Sequence, residues 1–185
     1  MKSIFLFLSL FSLTAFSDGP ALPTHGNGDG DELEYRIRAA LLVKMINFFE
    51  YPSTALYLKQ DQTFRFGILA PFNPFGENLK KYTLEKKTKD RLMEVVQYDS
   101  AEMLSTPPDV LYVPASQKYI LSQIMGRLAG KPCLIVVEEP CGVDPNGCLG
   151  MFVNKQGTIA MDINPIRLES AGISYGPEVL GLVSK

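Results

Sequence analysis

The chain has no tryptophan, one histidine and three cysteines in 185 residues. Each scarcity removes a chemistry. The histidine, His25, sits in DGPALPTHGNGDGD, a Gly- and Pro-rich stretch without apolar periodicity that has the character of a flexible leader over residues 18–31. Nothing there holds an imidazole against a substrate, so His25 is a bystander. Ser116 follows an apolar strand-like run, the position a hydrolase nucleophile takes. It lacks both a downstream histidine and the Gly-x-Ser-x-Gly elbow that would expose and activate it. Six residues separate Cys141 from Cys148, wider than zinc pairs use, and no second ligand pair appears. Asn27, Asp29 and Asp31 alternate like a calcium loop, but Glu32 stands where that loop needs its glycine. No cofactor or metal is expected.

Charge of one sign is also missing. Eighteen Lys and Arg against 20 Asp and Glu leave a formal net charge of -2, too weak to attract nucleic acid or an anionic lipid surface. The one basic cluster, Lys80-Lys81 with Lys86, Lys87 and Lys89, is interrupted by Glu85 and Asp90 and suits a solvated helix end.

Long apolar runs are absent except at the start. MKSIFLFLSLFSLTAFSD carries one lysine, an apolar stretch and the small-x-small pattern Ala15-Phe16-Ser17, as a cleaved export signal over residues 1–17 does. Its apolar part, about ten residues, is too short to cross a bilayer core of about 30 Å. The mature product is expected outside the cytoplasm, where disulfides persist. The remainder, residues 32–185, suits one domain with its own core.

The domain opens with ELEYRIRAALLVKMINFFEY, which predicts an amphipathic helix over 32–51. Its stripe is Leu33, Ile37, Ala40, Leu41, Met45, Phe48 and Phe49, with Asp31 as cap and Pro52 as stop. Strand-length apolar runs follow at Phe64 to Ala70, Leu92 to Tyr98, Val110 to Pro114 and Cys133 to Val137. The last two are nearly continuous and β-branched, as strands buried on both faces are. Helical patterns at Phe75 to Leu84 and Gln117 to Leu128 lie between runs, and alternation of this kind argues for a mainly parallel sheet with helices on both faces, a three-layer α/β fold. MFVNKQGTIAMDIN adds a C-terminal β-hairpin about Asn154 to Gly157, before short helices at Pro165 to Ala171 and Pro177 to Leu182.

In such a sheet ligands sit beyond the carboxyl ends of the strands. The loops leaving those ends are Pro71 to Gly76, Ala115 to Gln117 and Glu138 to Cys141. The first lacks a Gly-x-Gly-x-x-Gly run, and its prolines lack the N–H groups of a phosphate cradle. Glu138 and Glu139 are adjacent on an extended segment and point to opposite faces, so they do not converge as an acid–base pair. Without converging reactive groups, the chain is expected not to be an enzyme. Phe72, Asn73, Phe75, Ser116 and Glu139 on these loops form a candidate interaction surface.

The turn Asp144-Pro145-Asn146-Gly147 reverses the chain between Cys141 and Cys148. In an oxidising compartment a bulged loop there is expected to bridge the two, worth about 2 to 3 kcal/mol by loop-closure entropy. Cys133 lies in the apolar run PCLIVV and suits a buried thiol; pairing between chains in a homodimer is the alternative.

Three segments in order resemble the YfiR family of exported bacterial proteins: EYRIRAALLVKMINFFEYP, with Ala39, Phe48, Tyr51 and Pro52; FGILAPFNPFGENL, with Pro74, Phe75 and Gly76; and GMFVNKQGTIAMDINPIRLESAGISYGPEVLGLV. The resemblance implies a periplasmic α/β regulator without catalytic activity. The characterised type represses a membrane-bound diguanylate cyclase, and an outer-membrane lipoprotein relieves it. Reducing conditions also undo the repression through the cysteines. Cys141 and Cys148 match that protein's later cysteine pair, whereas Phe66 and Pro108-Asp109 stand where the earlier pair would be, so a structural bridge is implied and not a redox one. Gly176-Pro177 departs from the family's Ser-Ser at the last helix. The expected partner is an inner-membrane diguanylate cyclase or histidine kinase, with a periplasmic small-ligand binding protein as the alternative function.

Overall fold

The computed structural model describes residues 28–52, 63–69, 73–101, 104, 106–143 and 145–183. The expected signal, most of the expected leader and Phe72 lie outside them. In chain order the elements are helix α1 (Gly28–Met45), a 3-10 turn (Ile46–Phe48), β1 (Phe49–Glu50), β2 (Thr63–Ile68), α2 (Pro74–Thr83), β3 (Lys87–Thr88), β4 (Arg91–Gln97) and β5 (Val110–Val113). A second 3-10 turn (Ala115–Ile120) leads into α3 (Leu121–Leu128). Then come β6 (Leu134–Val137), β7 (Leu149–Val153), β8 (Ile159–Ile163), α4 (Pro165–Ser170), β9 (Ser174–Tyr175) and α5 (Pro177–Leu182).

Seven strands form the main sheet in the order β3-β4-β2-β5-β6-β7-β8. The four central pairings, β4 with β2, β2 with β5, β5 with β6 and β6 with β7, are parallel. Every residue of β5 and β6 is buried, because helices cover both faces and leave no side for water. Register assigns the faces. Ile68, Tyr112, Val136 and Leu149 align across the sheet and meet α1 and α2, which pack on each other. Alternate positions, Leu111, Ile135 and Cys148 among them, point the other way, where α3 and α4 lie over them. The expected three-layer α/β fold is therefore found.

The hairpin of β7 and β8 runs Leu149↔Ile163 to Val153↔Ile159. Its turn is held by Asn154, whose Oδ1 accepts from the N–H groups of Gln156 and Thr158 at 3.0 Å each. Gly157 takes φ of 72°, a left-handed conformation that glycine adopts without steric cost.

The opening helix differs from its expected form. It starts at Gly28 and ends at Met45, so Asp31 lies inside it and not at its cap. Beyond Met45, Phe49 and Glu50 leave the helix to pair antiparallel with Tyr175 and Ser174. A backbone bond from Gly176 N–H to Phe48 O at 2.9 Å extends that contact. Long-range pairing has overridden a helical pattern that was continuous in sequence. The buried stripe is also displaced: Ala39, Leu42, Met45, Ile46 and Phe49 are buried, while Leu33 is exposed.

A buried ion pair ties three strands at the opposite end. Asp109, 1% exposed, takes both Nη atoms of Arg91 at 2.8 and 3.1 Å and the backbone N–H of Arg65 at 2.8 Å. Arg91 also donates to Thr63 O. The bidentate geometry supplies the compensation that buried charges need.

Candidate interaction surface

The sheet's switch point lies between β2 and β5, because the chain runs outward from β2 to β4 and then returns to β5. An open sheet places a ligand crevice there. In this protein aromatic rings occupy it. Phe75, at the start of α2, stacks on Tyr112 with centroids 3.8 Å apart and planes 10° from parallel, and both residues are fully buried. Asn73 fixes this start by accepting from Phe75 N–H through Oδ1 at 2.8 Å, with Pro74 in the first helical position.

Below the rings lies a polar network that spans helix and sheet. Tyr112 donates its hydroxyl to Glu138 Oε1, and Glu138 Oε2 accepts from Ala115 N–H at 2.7 Å. Arg38, on α1, reaches Glu138 at 3.8 Å, pairs with Glu34 at 2.5 Å and donates to the carbonyl of Met151 on β7. Burial alone would lower the Arg38 pKa, but its neighbours Tyr112, Glu138 and Glu34 raise it above the ordinary value. Burial, then the Glu138 charge, pushes Tyr112 well above a normal phenol. It therefore stays protonated and remains a donor. These groups pair with one another across helix and sheet, with only the Nε of Arg38 left without a partner. Among the described residues no trio of His, Cys, Asp or Glu converges as metal ligands, and no helix is long and apolar enough to cross a membrane.

The expected surface is divided by the structure. Asn73 and Phe75 are buried and cannot meet a partner: the first caps a helix and the second fills the crevice. Phe72 lies outside the described residues. Ser116 is exposed on the 3-10 turn, and Glu139 is partly exposed beside it, joined to Lys118 at 2.7 Å. Tyr119 on the same turn is 74% exposed, a residue the loop-based expectation omitted. Glu138 turns inward and Glu139 outward, as expected for neighbours on an extended segment.

All three cysteines are unbridged in this structure, where a bond between Cys141 and Cys148 was expected. Cys141 N–H donates to both carboxylate oxygens of Asp162, at 3.1 and 2.9 Å, and its thiol contacts Asp162 O at 3.8 Å. Cys148 instead points between α3 and α4, where it and Cys133 line one cavity. The loop is closed by hydrogen bonds, including Asn164 Nδ2 to Pro145 O at 3.1 Å. Cys133 is buried, as expected.

Sequence reasoning missed Arg38 and Tyr112. A signal was present: Arg38 precedes Leu42, Met45 and Phe49 by helical steps on the buried stripe, and Glu138 continues the inward phase of Leu134 and Val136. Opposite charges at two core-phase positions point to a pair.

A comparison with curated proteins finds no match. Among solved structures, the ABC domain in complex with L-Trp from Streptococcus pneumonia is similar at a TM-score of 0.49 and 12% identity, over 65% of this chain and 54% of that one. The chain thus spans about half of that protein's length, and so slight a likeness carries no weight for ligand or activity. The family comparison is stronger, matching residues 35–184, which include every strand and helix from within α1 onward. By that match, the chain belongs to the YfiR/HmsC-like family.

Proposed function

We propose that this chain is a non-catalytic periplasmic signalling regulator that binds an inner-membrane partner, a diguanylate cyclase in preference to a histidine kinase. Family membership over residues 35–184 is the observation that carries the reading. The filled switch point supports it, because Phe75 and Tyr112 occupy the volume a substrate would need. The contact would be made by the 3-10 turn after β5, where Ser116, Lys118, Tyr119 and Glu139 offer a mixed aromatic and charged surface. Aromatic side chains beside charges are common anchors in protein interfaces. Export by residues 1–17 would place this surface in the periplasm, where an outer-membrane lipoprotein could compete for it. Deleting the gene and measuring cyclic di-GMP tests the cyclase link. A rise is expected. An unchanged level under several envelope stresses overturns that link, while cross-linking from a photoreactive residue at position 119 would still identify a kinase.

A further inference from the structure

Between α3, α4 and the sheet face opposite the Arg38 network lies a cavity of about 260 Å³. Its walls are apolar, with Met125 and Leu128 from α3 and Cys133, Ile135 and Cys148 from the sheet. Ala129 and Gly130, at its rim, are exposed. The cavity is therefore open to solvent on the α3 side.

Arg167 of α4 faces this apolar space, with Ser170 also lining it and Lys131 at the edge. Its backbone is fixed: its N–H donates to Asn164 Oδ1 at 3.2 Å, and its carbonyl accepts from Ala171 N–H at 3.0 Å. Its guanidinium is poorly satisfied. Nε is buried without a partner, and Nη2 donates to Met125 Sδ at 3.2 Å, a weak acceptor. Arg38 and Arg91 share the bare Nε, but their Nη atoms hold carboxylates. Among the described residues Arg167 has no such anion. The thiols do not supply one, since burial raises both Cys133 and Cys148 and keeps them neutral. A guanidinium fork at an apolar cavity, with no acceptor of its own, matches a planar anion carried on an apolar body.

We infer that this cavity is a binding site for a small amphiphilic carboxylate, with Arg167 holding the carboxylate and Met125, Leu128 and Ile135 enclosing the tail. A dry cavity of about 150 Å³ holds benzene, so this one suits a tail of about eight carbons, the size of a medium-chain fatty acid. The site does not depend on the regulatory reading. A protein that binds such an acid yet leaves cyclic di-GMP unchanged would keep this inference and lose the other.

The test uses the full chain with methyl-¹³C methionine and titrates octanoate by NMR. Seven methionines give a resolvable spectrum, in which Met125→Leu identifies the Met125 signal. A saturable shift of Met125 is expected, with Met45, on the other side of the sheet, unmoved. Arg167→Gln should weaken octanoate by about tenfold or more through loss of the charged fork, and the wild-type titration stands alone where that variant fails to fold. Octylamine should not compete. No saturable Met125 shift would overturn the inference. So would octan-1-ol binding equally well, which would remove the carboxylate, or inorganic phosphate binding equally well, which would remove the tail.

Discussion

Tyr112 links the two halves of the crevice: its ring lies flat against Phe75 at 3.8 Å while its hydroxyl donates to Glu138. One side chain thus fills the switch point and anchors the network that joins α1 to the sheet. A fully buried aromatic ring of this kind contributes about 1.5 to 3 kcal/mol by burial.

Removing one partner of that network should be costly, because the other is left charged and buried. Arg38→Met is expected to destabilise by about 3 to 5 kcal/mol, measured by urea unfolding. Adding Glu138→Gln should recover part of the loss, giving a coupling energy of about 0.5 to 3 kcal/mol. Strict additivity would mean that the pair does not interact.

Asp109 offers a second test at the other end of the sheet. Asp109→Asn keeps the shape but removes the charge that Arg91 holds from two sides. The expected loss is about 3 to 5 kcal/mol. A near-neutral result would show that Arg91 finds another acceptor, such as Thr63 O.

Alkali should lower the stability of the protein in two steps. Burial raises Cys133, Cys141 and Cys148 above the ordinary thiol value of 9.0, and raises Tyr112 above 10.0. A raised folded-state pKa stabilises the fold fully below the unfolded value, and that stability is lost as pH climbs above it, because the unfolded chain releases its proton first. Stability of the reduced protein should therefore begin to fall near pH 9 and steepen beyond pH 10. Tyr112→Phe should shrink the second component, leaving the part due to Tyr98, which burial also raises above 10.0, and leave the first unchanged. A stability curve flat from pH 8 to 11 would contradict both.

Gly150 faces a crowded spot on β7. A Cβ there would lie 2.2 Å from Asp162 Oδ1 and 2.6 Å from the carbonyl of Glu139. Gly150→Ala is expected to cost about 1 to 3 kcal/mol by overpacking, and also to loosen the Asp162 contact with Cys141 N–H. Slower exchange of that amide in the variant would contradict the account.

Thiol counting checks the cysteines. Native protein should resist a thiol reagent at neutral pH, because all three are buried, and should yield three thiols per chain once denatured without reductant. One thiol would mean that two are bridged.

Strand runs, crossover helices and the final hairpin were legible in the sequence because each rests on local periodicity: VLYV and LIVV are apolar throughout and are buried throughout. The end of α1 was not legible, because Phe49 and Glu50 are taken by Ser174 and Tyr175 from the far end of the chain. Asn73 and Phe75 looked like loop residues open to a partner, yet only the packing of α2 on Tyr112 turns them inward. The cysteine turn was visible, but whether two sulfurs face each other depends on strand orientation, and Cys148 turns instead to the cavity it shares with Cys133.

What the sequence alone determined was the α/β pattern, the scarcity of reactive groups and the resemblance borne by three ordered segments, since each is written in residue spacing. Tertiary structure decided which of those residues meet. Arg38 with Glu138 and Tyr112, and Arg167 facing an apolar cavity, arise from contacts between elements far apart in the chain, and no local pattern encodes such distances.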